Sequence, residues 1–214
     1  MKQRKERCDG RETREALLAA AVEEFTEKGY EGASTRSICA RAGVNNALLN
    51  RYYGSKESLY RLVAAKHFGE LGAPLARLAD NVRTAAEWKA ALREWIEDFL
   101  YMTLPSAEAQ IRCAVLFREE ITHPTKFHPE FRTAFGRPLY DALRKLFAMA
   151  LDDETEILLW TGSVWAELSA YALADPVWHE DFRPEGFTNA DWSARIADHV
   201  CAKIFKFLKF KKAD

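Results

Sequence analysis

The 214-residue sequence lacks any apolar run near the roughly eighteen residues that a membrane-spanning helix requires. The basic opening, Met1-Lys2-Gln3-Arg4-Lys5-Glu6-Arg7, is followed by no apolar segment, so it does not read as a secretory signal and a cytoplasmic protein is expected. Cysteine is scarce. Cys8, Cys39, Cys113 and Cys201 lie far apart with no CxxC pair, which argues against a disulfide framework and fits buried or incidental thiols in a reducing cytosol. HExxH, GxSxG, P-loop and GxGxxG motifs are all missing, which removes the usual sequence grounds for an enzyme or a bound cofactor. Strict apolar/polar alternation and internal repeats are missing as well, so neither a sheet nor a solenoid is indicated. Excess charge of one sign is also absent, the net charge being −1.

What remains is a chain with 48% hydrophobic residues, enough for a sizeable core. Its charge is uneven: residues 1–60 carry 11 Lys and Arg against 9 Asp and Glu, a net of +2, and the rest of the chain nets −3. Four of the positive charges fall in the first seven residues, where an arm over 1–8 can follow phosphates or remain a solvated tail. His123 and His128 flank Pro124 beside Glu119, Glu120 and Glu130, in imitation of a metal site. No histidine pair has helical i, i+4 spacing, so the segment reads as a loop with solvated charges and no metal is expected. Glu119 and Glu120 are adjacent, about 100° apart on a helix, and cannot face one bond together.

Helical periodicity accounts for the rest. Asp9-Gly10-Arg11-Glu12 has capping-box spacing, and Leu18, Ala21, Val22 and Phe25 then form one apolar stripe up to a stop at Gly29. Ser34 and Thr35 open a second short helix with Ile38, Cys39 and Ala42 inward. Gly43 ends it, and Asn45 caps a third helix over Asn46–Tyr53. A connecting helix starts at Lys56, and Gly69, Gly72 and Pro74 predict its end or bend. Further helices are predicted near 75–83, 85–104, 107–121, 128–151, 153–174 and 189–209, with a break at Gly136-Arg137-Pro138 inside the fourth of these. The expected fold class is all-α. It comprises a basic arm (1–8), a three-helix unit (9–55), a connecting helix (56–74) and a larger helical part (75–214).

Helix, glycine turn and polar-faced helix is the sequence form of a helix-turn-helix, whose second helix enters the DNA major groove. Ala42-Gly43-Val44, Tyr52-Tyr53 and Gly54-Ser55-Lys56-Glu57-x-Leu59, in register over about fifty residues, resemble the TetR/AcrR family of bacterial transcriptional regulators. Leu116-Phe117-Arg118-Glu119-Glu120-Ile121-x-x-Pro124, with Gly43-Val44-Asn45-x-Ala47 and Asn50, more loosely resembles the CecR-type branch of that family.

On the third helix, Asn45, Asn46, Asn50 and Arg51 are the polar candidates for base edges, and Ala47 and Leu48 for thymine methyls. Asn50 stands where the family most often has an aromatic residue. The resemblance implies phosphate contacts by Tyr52 and Lys56, and an approach to backbone or bases by Thr35 and Arg36. It also implies an effector pocket walled by Trp95, Phe99, Met102, Phe117 and Trp165, with Arg118, Glu120 and His123 as polar groups. Aromatics at helical spacing fit a packed core equally. The resemblance further implies a helix-turn-helix DNA-binding domain over 9–55 and an effector-binding and dimerisation domain over 75–214, in which Trp160, Val164, Leu168 and Tyr171 on one helix and Trp192, Ile196, Val200 and Ile204 on the last pair with their twofold mates; capping the domain's own core is the alternative for these helices. The implied function is a homodimeric repressor that leaves a palindromic double-stranded operator when a small molecule binds. Control by a protein partner in place of an effector is the alternative, and an all-α enzyme the remote one.

Overall fold

Caps written into the sequence set most of the element boundaries. The computed structural model describes residues 2–104, 117, 119–122, 124–173 and 183–211, the side chains of 2–9, 66–68, 70, 71 and 189 excepted. Four helices open the chain: α1 (Lys2–Gly32), whose backbone turns non-helical at Gly29, the expected stop, α2 (Thr35–Ala42), α3 (Asn46–Tyr53) and α4 (Lys56–Arg77). A 3₁₀ turn (Leu78–Asn81) leads to α5 (Ala85–Thr103), capped by reciprocal bonds between Thr84 and Glu87. Phe117 and residues 119–122 are helical. After them come α6 (His128–Phe131), a π-helical turn (Arg132–Gly136), α7 (Arg137–Ala148), α8 (Glu154–Leu173) and α9 (Asn189–Phe207). Among the described residues there is no strand.

Three boundaries differ from expectation. Helix α1 begins at Lys2, so the segment read as an arm is helical; Lys, Gln, Arg and Glu favour helix and nothing before Gly10 interrupts it. Helix α4 runs through Gly69, Gly72 and Pro74 to Arg77, absorbing the start of the helix predicted at 75–83. Gly72 serves close packing there, because a Cβ on it would stand 2.8 Å from Leu139 Cδ1. The break predicted at Gly136-Arg137-Pro138 is the π turn just before Arg137: one extra residue in the turn lets Pro138 sit in the first turn of α7, where its missing N–H costs nothing. Most of the helix predicted at 107–121 lies outside the described residues.

One continuous core runs from Leu17, Phe25 and Ile38 through Leu59, Tyr60 and Val63 of α4 to Trp88, Leu143, Leu168 and Ile204. Helix α4 packs on α1 and α3 at one end and on α7 at the other, so a rigid helix joins the two parts. Trp88 Nε1 donates to Leu146 O at 2.8 Å and fixes α5 on α7.

Candidate nucleic-acid interface

The turn between α2 and α3 is built from short-range bonds. Ser34 Oγ accepts from Ser37 N at 3.0 Å, and Ser37 Oγ accepts from Ser34 N at 3.2 Å, closing a capping box. Gly43 takes the left-handed conformation, φ 67° and ψ 27°, and Val44 N then reaches Cys39 O at 3.0 Å. Asn45 Oδ1 accepts from Leu48 N at 3.1 Å to start α3. Ile38, Cys39 and Leu49 are buried on the inner faces. Tyr53 also turns inward, donating its hydroxyl to Arg14 O at 2.8 Å.

Helix α2 is locked to α1 by charge. Arg41 reaches Glu23 at 3.0 Å, Glu24 at 3.3 Å and Glu27 at 2.6 Å, and Lys28 lies 2.6 Å from Glu24. Burial alone would raise the Glu24 carboxyl, which is 1% exposed; hydrogen bonds from Lys28 and Ser37 and the charges of Lys28 and Arg41 together hold it below the usual carboxylate range.

This packing leaves one side of α3 outward: Asn45, Asn46, Ala47, Asn50 and Arg51 are exposed and Leu48 is half-buried. Arg36 is exposed on α2, and Thr35, its first residue, is half-buried. The asparagines are not equivalent. Asn45 spends its carboxamide oxygen on the cap, and Asn46 Oδ1 accepts from Cys39 Sγ at 3.4 Å. A bidentate adenine contact needs both ends of the amide, so Asn50 is the one placed to make it without breaking a protein bond. Tyr52 carries the guanidiniums of Arg14 and Arg51 over its ring, 5.4 and 5.9 Å from the centroid. Arg14 was missed in the sequence because only tertiary packing brings it beside Tyr52.

Lys56 also binds its own chain. Its ammonium donates to Tyr30 O at 2.8 Å and Ala33 O at 3.0 Å and lies 4.2 Å from the centre of the Tyr30 ring. Two of its three protons thus bind the chain at the end of α1 and just before α2, a structural task that the sequence reading did not include.

The rest of the chain grips this domain at Gly29, whose φ 67° and ψ −177° fall in a region reserved for glycine. A Cβ there would meet Glu119 Oε1 at 2.5 Å, and that carboxylate accepts the Tyr30 N–H at 3.0 and 3.2 Å. Beside it, Glu120 is 1% exposed and accepts from Tyr60 Oη of α4 at 3.0 Å and Thr125 Oγ1 at 2.5 Å. Burial, then the charges of Glu120 and Glu119, push the Tyr60 phenol far up, so it stays protonated as the donor. Phe25, Tyr30, Tyr60 and Phe127 pack edge to face around this latch, with centroids 4.9 to 5.0 Å apart along the chain of contacts. Glu120 therefore belongs to the domain junction, and its carboxylate is not the pocket group expected.

The family profile described as "Bacterial regulatory proteins, tetR family" matches residues 17–63, the segment that forms this unit. The HTH-type transcriptional dual regulator CecR of Shigella flexneri is 30% identical over 173 residues, 77% of either chain. The protein belongs to the TetR family. The HTH-type transcriptional activator FasR of Mycolicibacterium smegmatis is 30% identical over 120 residues, 48% of this chain and 53% of that one. In fold, the TetR-family chain matches Bacillus subtilis FadR, solved in complex with stearoyl-CoA, at TM-score 0.64 and 14% identity, covering 87% of this chain and 97% of that one. NalD of Pseudomonas aeruginosa, described as the secondary repressor of an efflux pump, matches at TM-score 0.59 and 21% identity, covering 94% and 98%.

Beyond the DNA-binding unit of this TetR-family protein, the aromatic pocket wall expected from the sequence is core. Trp95, Phe99 and Phe117 are fully buried and Met102 nearly so; Trp95 and Phe99 stack at 5.4 Å, and Phe99 meets Phe117 at 5.8 Å and Trp165 at 5.4 Å. Arg118 and His123 lie outside the described residues. A half-open cavity of about 490 Å³ opens one layer further out, lined by Ile121, His128, Phe131, Arg132, Thr133, Gly136, Arg137, Tyr140 and Trp165. Of the expected pocket residues that are described, Trp165 lines it and the others do not. No group of three or more metal-ligating side chains converges among the described residues.

Five of the eight residues expected at a dimer face are core. Val164, Leu168, Ile196, Val200 and Ile204 are buried within the single chain, while Trp160, Tyr171 and Trp192 are half-buried against its core. The most regular apolar stripe of a helix faces its own core first. Outward, α8 presents Leu158 (44% exposed) and Leu159 (57%), and α9 presents Phe207 (67%). Gly162, Ser163, Ala166 and Ala170 continue the Leu159 side of α8 with small residues.

Proposed function

We propose that this TetR-family regulator is a cytoplasmic homodimeric repressor, released from a palindromic operator by a small-molecule effector. The observation that carries this reading is the outward side of α3, polar at Asn50 and Arg51 and held on a fully packed inner face. Two such helices related by a twofold axis would enter successive major grooves. The twofold contact uses the outer side of α8 and the end of α9: Leu158, Leu159 and Phe207 are the large apolar side chains left exposed on the described parts of these helices, and the small residues beside them allow close helix approach.

Release follows from the latch. Glu119 and Glu120 hold Tyr30 and Tyr60, one at the end of α1 and one on α4, so a shift of the helical residues around 119–122 would tilt the DNA-binding unit. An effector must bind the tilted state more tightly than the DNA-binding state, since equal affinity for both would release nothing. Selection of bound sequences from random duplex DNA at stated salt tests the reading. A palindrome with half-sites about one helical turn or more apart is the expected result. Weak salt-sensitive binding with no recovered motif would sink it.

A further inference from the structure

The cavity at the π turn has a chemical preference that its position alone does not dictate. An i→i−5 bond from Arg137 N to Arg132 O widens the helix there and sets Arg132, Thr133, Gly136 and Arg137 around the same opening. Wide turns of this kind recur at functional sites because they turn side chains that a regular helix would space apart. Arg132 is exposed and pairs with no carboxylate among the described residues. Among the described residues Arg137 donates only its Nε, to Asp141 at 2.9 Å, which leaves the outer edge of its guanidinium available there. His128 adds a third nitrogen centre: its Nδ1 is buried without a hydrogen bond and sits 3.6 Å from Glu120 Oε2. The remaining wall is apolar and aromatic, formed by Ile121, Phe131, Tyr140 and Trp165.

We propose that this cavity binds an amphipathic organic oxyanion, with Arg132 and Arg137 meeting the anionic head and the aromatic wall enclosing an acyl or aryl body. Guanidinium pairs recognise carboxylate and phosphate oxygens by parallel charge-assisted hydrogen bonds, and a neutral head cannot replace that pairing. The volume of about 490 Å³ lies within the range of small-molecule sites and accepts a body of some ten carbons. An occupant touching His128 is one side chain away from Glu120, and Glu120 holds Tyr60 of α4. The proposal rests on the effector reading above only in naming what the effector is; the site itself stands on geometry.

The test uses the whole dimer-competent chain and three ten-carbon probes: decanoate, decanol and decylamine. Titration calorimetry should show decanoate binding at least about tenfold more tightly than decanol, with decylamine weaker still. Arg132→Gln combined with Arg137→Gln should remove that preference, bringing decanoate to the level of decanol; both positions are on the surface, so the fold survives, as circular dichroism would verify. Equal binding of decanoate and decanol to the wild type, a preference that survives the double substitution, or no decanoate binding would each overturn the proposal. Operator affinity is measured in parallel. If decanoate binds as expected and operator affinity is unchanged, the site stands and the effector reading fails. If decanol releases DNA as well as decanoate does, the effector reading stands and the anion preference fails.

Discussion

Asn45 and Asn50 look interchangeable as letters and differ once their amides are followed. Asn45→Ala removes the α3 cap and should cost about 1 kcal/mol of stability, read as a urea midpoint, with base preferences unchanged. Asn50→Ala should leave the midpoint in place and relax preference at one base pair of each half-site, read by competition with single-base operator variants. Lys56 offers a sharper contrast. With both carbonyl bonds lost, Lys56→Ala should destabilise the protein by roughly 1–3 kcal/mol. The salt slope of DNA binding should stay as in the wild type, whereas a phosphate contact would lower it by about one. Glu24 carries a pH signature. Its folded value is depressed, so the stability it contributes is present above the ordinary carboxylate value of 4.5 and is lost as pH falls through the lower folded value. Glu24→Gln should therefore be less stable than the wild type at neutral pH, by roughly 1–3 kcal/mol, and the gap should close in acid melts.

At the scale of elements, two glycines separate a turn from a junction. Gly43 is left-handed and, its chain neighbours aside, no atom of the described residues lies within 4 Å of a Cβ, so Gly43→Ala meets backbone strain, about 1 kcal/mol. Gly29 combines a conformation closed to other residues with the 2.5 Å approach of Glu119. Gly29→Ala should cost about 1–3 kcal/mol in the backbone alone. Because it also expels Glu119 from Tyr30 N, it should weaken operator binding beyond what the stability loss explains. Comparing DNA affinity of the two variants at a temperature where both are folded checks this; equal affinities would remove the latch from the coupling.

For the whole molecule, the question is which side of α8 and α9 meets a second copy. Leu159→Glu places a charge on the most outward apolar residue of α8, and Phe207→Ser removes the most exposed ring of α9. Sedimentation equilibrium should show the double variant as a monomer with an unchanged helical spectrum. Its affinity for a full operator should fall toward that for a half-site, because the second recognition helix no longer arrives with the first. Val164→Ala, in contrast, should lower stability by about 0.5–3 kcal/mol without altering the association state, since it lies in the core of the single chain.

The sequence by itself determined the all-α class, the α2–Gly43–α3 turn, most helix ends and the family, because caps, glycine stops and helical periodicity act over three or four residues and are written in that order. The tertiary structure alone decided what each long-range partner does. Lys56 reaches carbonyls more than twenty positions back, Glu119 meets Tyr30 eighty-nine positions away, and the cavity forms where a π turn faces Trp165. Periodicity marks that a side of a helix is apolar, and cannot say whether its own core or a second chain will cover it. That choice is made by packing, which is why the stripe through Val164 and Ile204 turned inward and Leu159 and Phe207 were left outside.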